Sequence, residues 1–321
     1  MTRDIASDVL AWSRAATYPR AVGLRSGGST IGRWLAAAAL AIVLGACEVP
    51  APEGAYPLRY RDMTFSVKTT PDIQYGEAPG AGGVPQKLLL DVYEPAGDSA
   101  AKRPAIIWMH GGSFKYGTRK DGMTVELARR FAQRGYVAVS ISYRLLADEA
   151  CGGEASANRC MPAAFAAADD ERAAIRYLRS RATQLRIDPD RIAIGGISAG
   201  GVASVLAGST PDTPGASGNP GPSSAAQAVV SISGGLPTEL TFGPGDPPTQ
   251  FWHGMDDTVV PFEWAHRNAR YMMQSGLIGV LRYVEGAGHV PGDKLDDMDE
   301  QARNFLYKML FLQSAEGGPA A

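Results

Sequence analysis

The stretch Gly196-Ile197-Ser198-Ala199-Gly200 constrains this chain more than any other. It stands where an apolar run, Ile192-Ala193-Ile194, gives way to small residues from Ser198 to Ala207. The run has the β-branched content and length of a buried strand, and the small residues suit a closely packed helix. Glycines two places before and after the serine permit a tight turn from strand to helix, where larger side chains would collide with neighbouring backbone. Such a turn projects the Ser198 side chain out of the sheet. The alternative at this point is a helix-capping serine with glycines nearby for packing.

The remainder of the chain supplies a sheet for that turn. Short, nearly continuous apolar strands are expected at 105–109, 136–142, 191–194, 228–232, 250–252 and 280–284. Amphipathic helices alternate with them, which is the pattern of a parallel sheet covered on both faces. Ile175, Leu178, Ala182 and Leu185 fall on one stripe of a helix, with Asp169, Asp170 and Glu171 early and Arg176, Arg179 and Arg181 later, as its dipole favours. A helix is expected over 262–274, and Met298, Ala302, Phe305, Met309 and Leu312 give the last helix its apolar face. Alternation at 63–67 and 87–93 predicts two antiparallel edge strands split by a Gly/Pro loop. Residues 211–224, dense in Pro, Gly and Ser, read as a mobile surface loop. The expected fold class is α/β: a mostly parallel sheet of about eight strands, helices on both faces and no large cap. Only a short loop separates the strand ending near Ile232 from the one starting near Gln250, so the site is expected to be open, with 48–85 free to lean over it.

The first 46 residues read as an export signal. Arg20, Arg25 and Arg33 precede an apolar run from Trp34 to Leu44, too short to span a bilayer. Leu44-Gly45-Ala46-Cys47 looks like a bacterial lipobox, which implies cleavage before Cys47 and its lipidation; an ordinary secretory signal or a transmembrane stub is the alternative. The basic leader is long for such a signal, so the start is placed alternatively near Val22 or Leu24. Residues 47–57 read as a tether, 58–314 as one catalytic domain and 315–321 as a flexible tail. In an oxidising compartment the other two cysteines, Cys151 and Cys160, are expected to pair across a Gly/Ala/Ser/Asn loop; free thiols are the alternative. That closure stabilises by at most ~2.5–3 kcal/mol. The expected location is the cell envelope or the outside, with membrane contact only through the lipid. A net charge of −2 with dispersed arginines argues against a nucleic-acid surface. No His or second Cys pair stands at metal-ligand spacing, and no cofactor is called for.

A serine hydroxyl attacks at neutral pH only if a base takes its proton. Of the four histidines, His289 follows a glycine-bearing loop after the last strand, where an imidazole can reach Ser198. His110 belongs to His110-Gly111-Gly112-Ser113 and is expected to brace that loop; His253 comes too early, and His266 lies in a helix. The orienting acid has two candidates in His253-Gly254-Met255-Asp256-Asp257-Thr258-Val259-Val260-Pro261; the spacing favours Asp257 over Asp256. Amides of Gly111, Gly112 and Ala199 are the expected donors to a developing oxyanion.

From Lys87 to about Phe311 the chain resembles bacterial carboxylesterases of the α/β-hydrolase fold, of the hormone-sensitive-lipase-like and acetyl-xylan/feruloyl esterase-like groups. The likeness rests on Leu90-Asp91-Val92-Tyr93, Trp108-Met109-His110-Gly111-Gly112-Ser113-Phe114, Asp188-Pro189-Asp190-Arg191-Ile192-Ala193 and Gly195-Gly196-Ile197-Ser198-Ala199-Gly200-Gly201. It implies a serine carboxylesterase acting on short-chain esters, or on esters of carbohydrates and aromatic acids, through an acyl-enzyme. Relatives usually carry a third glycine where Ser113 stands. A serine peptidase of the same fold and a non-catalytic surface binding module are the competing readings.

Overall fold

The computed structural model describes residues 58–238 and 242–314. The expected signal, tether and tail, with Cys47, lie outside the described residues. Eight strands form one sheet in the order β1-β2-β4-β3-β5-β6-β7-β8. They are β1 (Val67–Pro79), β2 (Pro85–Pro95), β3 (Arg103–Met109), β4 (Val137–Ile141), β5 (Ile187–Ile197), β6 (Ala228–Ile232), β7 (Thr249–Gly254) and β8 (Gly279–Val284). The first two strands pair antiparallel and β2 pairs antiparallel with β4; from β4 to β8 every pairing is parallel.

Period-two alternation divides the core between the two faces. On one face Ala105, Ile107 and Met109 of β3 meet α2 (Ala157–Ser180), α3 (Ala199–Ser209) and α4 (Phe262–Gln274). On the other, Ile106 and Trp108 meet α1 (Gly122–Gln133) and α5 (Leu295–Met309). The helix α3 is buried nearly all round, as its Ala/Gly/Val sequence requires. Arg172 of α2 donates to the Leu206 carbonyl in the last turn of α3 (2.9 Å) and to the Thr210 carbonyl just beyond it (2.8 Å), where a cation offsets the negative end of the dipole.

Three expectations need correction. The first edge strand is not 63–67 but Val67–Pro79, inside the segment expected as a Gly/Pro loop. Its side chains are mostly exposed and Pro71 interrupts it, so no alternation marks it; pairing with β2 makes it a strand. Helix α2 starts at Ala157, which places Cys160 in a helical turn rather than at the end of a loop. The segment 211–224 is irregular but tied down: Arg176 grips Asp212 (2.9 Å), Ser217 donates to Asp170 (2.5 Å) and Asn219 donates to the Tyr75 carbonyl. Among the described residues, no helix is long and apolar enough to cross a membrane.

Candidate active site

Ser198 stands between β5 and α3 with φ 55° and ψ −119°, a positive-φ backbone that few non-glycine residues adopt. The turn is tight enough that a Cβ on Gly196 would lie 2.3 Å from the carbonyl carbon of Gly200. The Ser198 amide donates to the Ile232 carbonyl (2.8 Å), which ties the turn to the end of β6. The next amide, Ala199, is the first of α3, among the donors that a helix leaves without intrahelical partners.

Two loops bring the other polar groups to Ser198. Asp257, 5% exposed, follows β7, and His289 follows β8. The amides of Val259 and Val260 donate to Asp257 Oδ1 (2.9 and 3.0 Å). His289 Nδ1–H donates to Asp257 Oδ2 (2.7 Å), which leaves Nε2 as the acceptor facing the Ser198 hydroxyl (2.8 Å). Burial by itself would raise the Asp257 pKa. Hydrogen bonds from His253 and His289, the His289 charge and the Val260 amide outweigh it and hold the carboxyl well below the usual range. Asp256 is exposed, and its amide donates to the Ala287 carbonyl (2.9 Å).

Two residues with no role in the sequence reading support this pair. His253 is fully buried, with Nε2 2.8 Å from the Val260 carbonyl and 3.1 Å from Asp257 Oδ2. Both partners accept, so this nitrogen carries the proton and positions the carboxylate. Ser233 lies just beyond β6; its amide donates to the Trp252 carbonyl (2.7 Å) and its hydroxyl accepts from the Val290 amide (3.3 Å). Val290 has φ 46°, an outlier for a β-branched residue, so the His289 loop is held in a strained conformation. The strand-end histidine of the His253-Gly254-x-x-Asp257 spacing was the available signal for the first; nothing local marks the second.

On the opposite side of Ser198, Gly111 lies close enough that a Cβ would sit 3.3 Å from Ser198 Cβ. Gly112 has φ 114°, and a Cβ there would strike the Tyr116 carbonyl at 2.1 Å, so the turn requires glycine. His110 is buried, stacks on Tyr143 at 4.3 Å and donates from Nδ1 to the Gly111 carbonyl (2.6 Å). Burial lowers its pKa and outweighs the Gly111 carbonyl and the Asp121 carboxylate, so the ring is a neutral brace. Asp91 accepts from Arg119 Nε (2.7 Å), anchoring the far end of this loop to β2.

The site is not simply open. Residues 142–156, between β4 and α2, cross it as a strap. At its start Arg144 is bound to buried Asp170 (2.9 Å). Along its length the Ala147 amide donates to the Phe114 carbonyl (3.2 Å) and the Gly153 amide to the Val259 carbonyl (2.6 Å). Trp264 of α4 donates to Glu154 (2.7 Å), and a Cys151–Cys160 disulfide joins the strap to α2. The strap therefore links the Gly111–Phe114 loop to the Asp257 loop. Only contacts distant in sequence reveal it.

The BD-FAE family model matches residues 90–242. Among curated proteins, Esterase LipC of Mycobacterium tuberculosis is 30% identical over 173 residues, 53% of this chain and 37% of that protein. Gut esterase 1 of Caenorhabditis elegans is 28% identical over 35% of this chain and 19% of its own length. A third relative, 5-methylorsellinic acid synthase of Aspergillus terreus, is 33% identical over 39% of this chain but only 5% of its own length, so the chain spans a minor part of these curated relatives. Among solved structures, the butyrate-bound esterase Est2 of Thermogutta terrifontis superposes with TM-score 0.60 at 26% identity, covering 79% of this chain and 98% of that one. The same esterase phosphorylated by paraoxon gives TM-score 0.59 at 26% identity, over 79% and 98% of the two chains. The chain has the α/β-hydrolase fold of Est2, and its segment 90–242 is similar to the BD-FAE family.

Proposed function

We propose that this protein is a serine carboxylesterase. The observation that carries the reading is the continuous hydrogen-bonded line from Asp257 through His289 to Ser198, with gaps of 2.7 and 2.8 Å. Ser198 Oγ attacks the ester carbonyl as His289 Nε2 takes its proton, and ionised Asp257 stabilises the imidazolium. Amides of Gly111, Gly112 and Ala199 receive the oxyanion, assisted by the positive end of α3. His289 returns the proton to the leaving alcohol, leaving an acyl-serine. Water, deprotonated by the same nitrogen, then releases the acid.

The BD-FAE match supports small acyl or aromatic-acid esters carried on carbohydrate as substrates. Residues 1–47 support export with a lipid anchor, and the disulfide agrees with an oxidising compartment. The test is a fluorophosphonate probe together with hydrolysis of p-nitrophenyl acetate. Stoichiometric labelling and turnover are expected, both abolished by Ser198→Ala. An unlabelled, inactive wild type would overturn the reading, and preference for a peptide anilide would replace it with a peptidase.

A further inference from the structure

Beside Ser198 lies a narrow apolar recess of about 40 Å³. Phe114, Met161, Ala164, Val202 and Trp264 form its walls, and the strap at Cys151–Gly153, with Cys160 of α2, lines one side of it. Ser198 and Ala199 line its mouth, whereas His289 does not line it. This geometry distinguishes the two halves of an ester. The alcohol oxygen must lie against His289 Nε2 to receive its proton, and the carbonyl oxygen must face Ala199 and Gly111–Gly112. The acyl chain takes the remaining direction, into the recess.

A single water needs a cavity of roughly 10–15 Å³, so the recess is larger than one water and of a size for a short acyl group. Three of its walls stand on helices packed into the core, where Ala164 is 2%, Val202 7% and Trp264 5% exposed. The strap has water on its outer side: Asp148, Glu149 and Ala150 are exposed. Besides the Arg144–Asp170 pair, its tie to α2 is the Cys151–Cys160 bond, with Cys160 next to Met161 and one helical turn from Ala164.

We infer that the recess is an acyl site for saturated groups of two to four carbons, that it excludes feruloyl groups, and that the disulfide-tied strap sets this limit. The inference rests on the esterase reading and narrows it to acetyl-type esters, with the large alcohol, such as an acetylated sugar, on the His289 side. A misfit of one methylene changes kcat/KM by roughly 10- to 200-fold in a hydrophobic pocket.

The experiment measures kcat/KM of the full chain for p-nitrophenyl acetate, butyrate, hexanoate and octanoate and for methyl ferulate, with fluorophosphonate labelling to count intact sites. Wild type should turn over acetate and butyrate at least ~100-fold faster than octanoate or methyl ferulate. Dithiothreitol, which reduces the bond to two thiols while itself forming a disulfide, should raise the octanoate-to-acetate ratio about tenfold. Cys151→Ser with Cys160→Ser should do the same. Met161→Ala should raise the ratio without touching the bond, and it decides with reduction if the cysteine variant does not accumulate. Equal use of acetate and octanoate, or of acetate and ferulate, by wild type overturns the acyl assignment. An unchanged ratio after reduction, with a raised one in Met161→Ala, overturns the strap's part. Failure of the esterase reading looks different: no ester is cleaved and no probe is retained.

Discussion

The two sides of Ser198 are held by different physics. On the histidine side the organising element is a charge: buried Asp257 receives N–H groups from Val259, Val260, His253 and His289. On the Gly111–Phe114 side no ionised side chain faces the serine among the described contacts. Shape does the holding there, through Gly112 at φ 114°, Ser113 and Phe114 both at φ 57°, the neutral His110 ring and the strap. The first side should fail when a charge or a proton acceptor is removed, the second when a few cubic ångströms are added.

The largest effect should come from His289→Ala, which removes the acceptor itself. A loss of about 10⁶-fold in kcat is expected, with fold and probe-site volume intact; steady-state kinetics with thermal melting checks both. Asp257→Asn keeps the volume and removes the charge, and should cost on the order of 10⁴-fold in kcat. The same variant tests pH dependence. Because the folded pKa of Asp257 is depressed, its stabilising contribution is complete above the unfolded value near ~4 and is lost only as pH falls further. Urea melts between pH 3 and pH 6 should therefore lose stability more steeply on acidification in wild type than in Asp257→Asn.

Gly112→Ala probes the other side, where its methyl group would meet the Tyr116 carbonyl. A loss of about 10²- to 10³-fold in kcat is expected from the displaced amide, with KM little altered. The smallest effect is structural. Glu171 is fully buried on α2, and burial raises its pKa well above the ordinary value despite the hydrogen bond to Ser204 and the nearby Arg172. A raised carboxyl pKa makes the folded state lose stability as pH rises through the unfolded value. Glu171→Gln should therefore melt at a higher temperature than wild type at pH 8 and close to it at pH 4. A gain at acid pH alone would contradict this reading of Glu171.

What was legible in the sequence differs between regions for the same reason. The Gly196–Gly200 turn and the Asp257 loop each follow a strand whose end is buried, the His289 loop follows the partly exposed edge strand β8, and local composition marks strand and turn in each case. Helix 262–274 was equally plain from its period and coincides with α4. The edge strand β1 was missed because its exposed residues carry no alternation, and its identity depends on a partner strand. The strap was missed because its contacts join residues more than thirty or a hundred positions apart, such as Ala147 to Phe114 and Glu154 to Trp264. Segment 211–224 has the composition of a free loop, yet arginines on α2 fix it.

Ser233 ties these loops together in a further respect. The residue before it accepts from the Ser198 amide, its own amide holds the end of β7, and its hydroxyl receives the Val290 amide. Thermal damage at this corner releases the Ser198 turn and the His289 loop at the same moment. A warmed sample should then be a mixture of fully competent and silent molecules, its titratable sites declining in step with its rate.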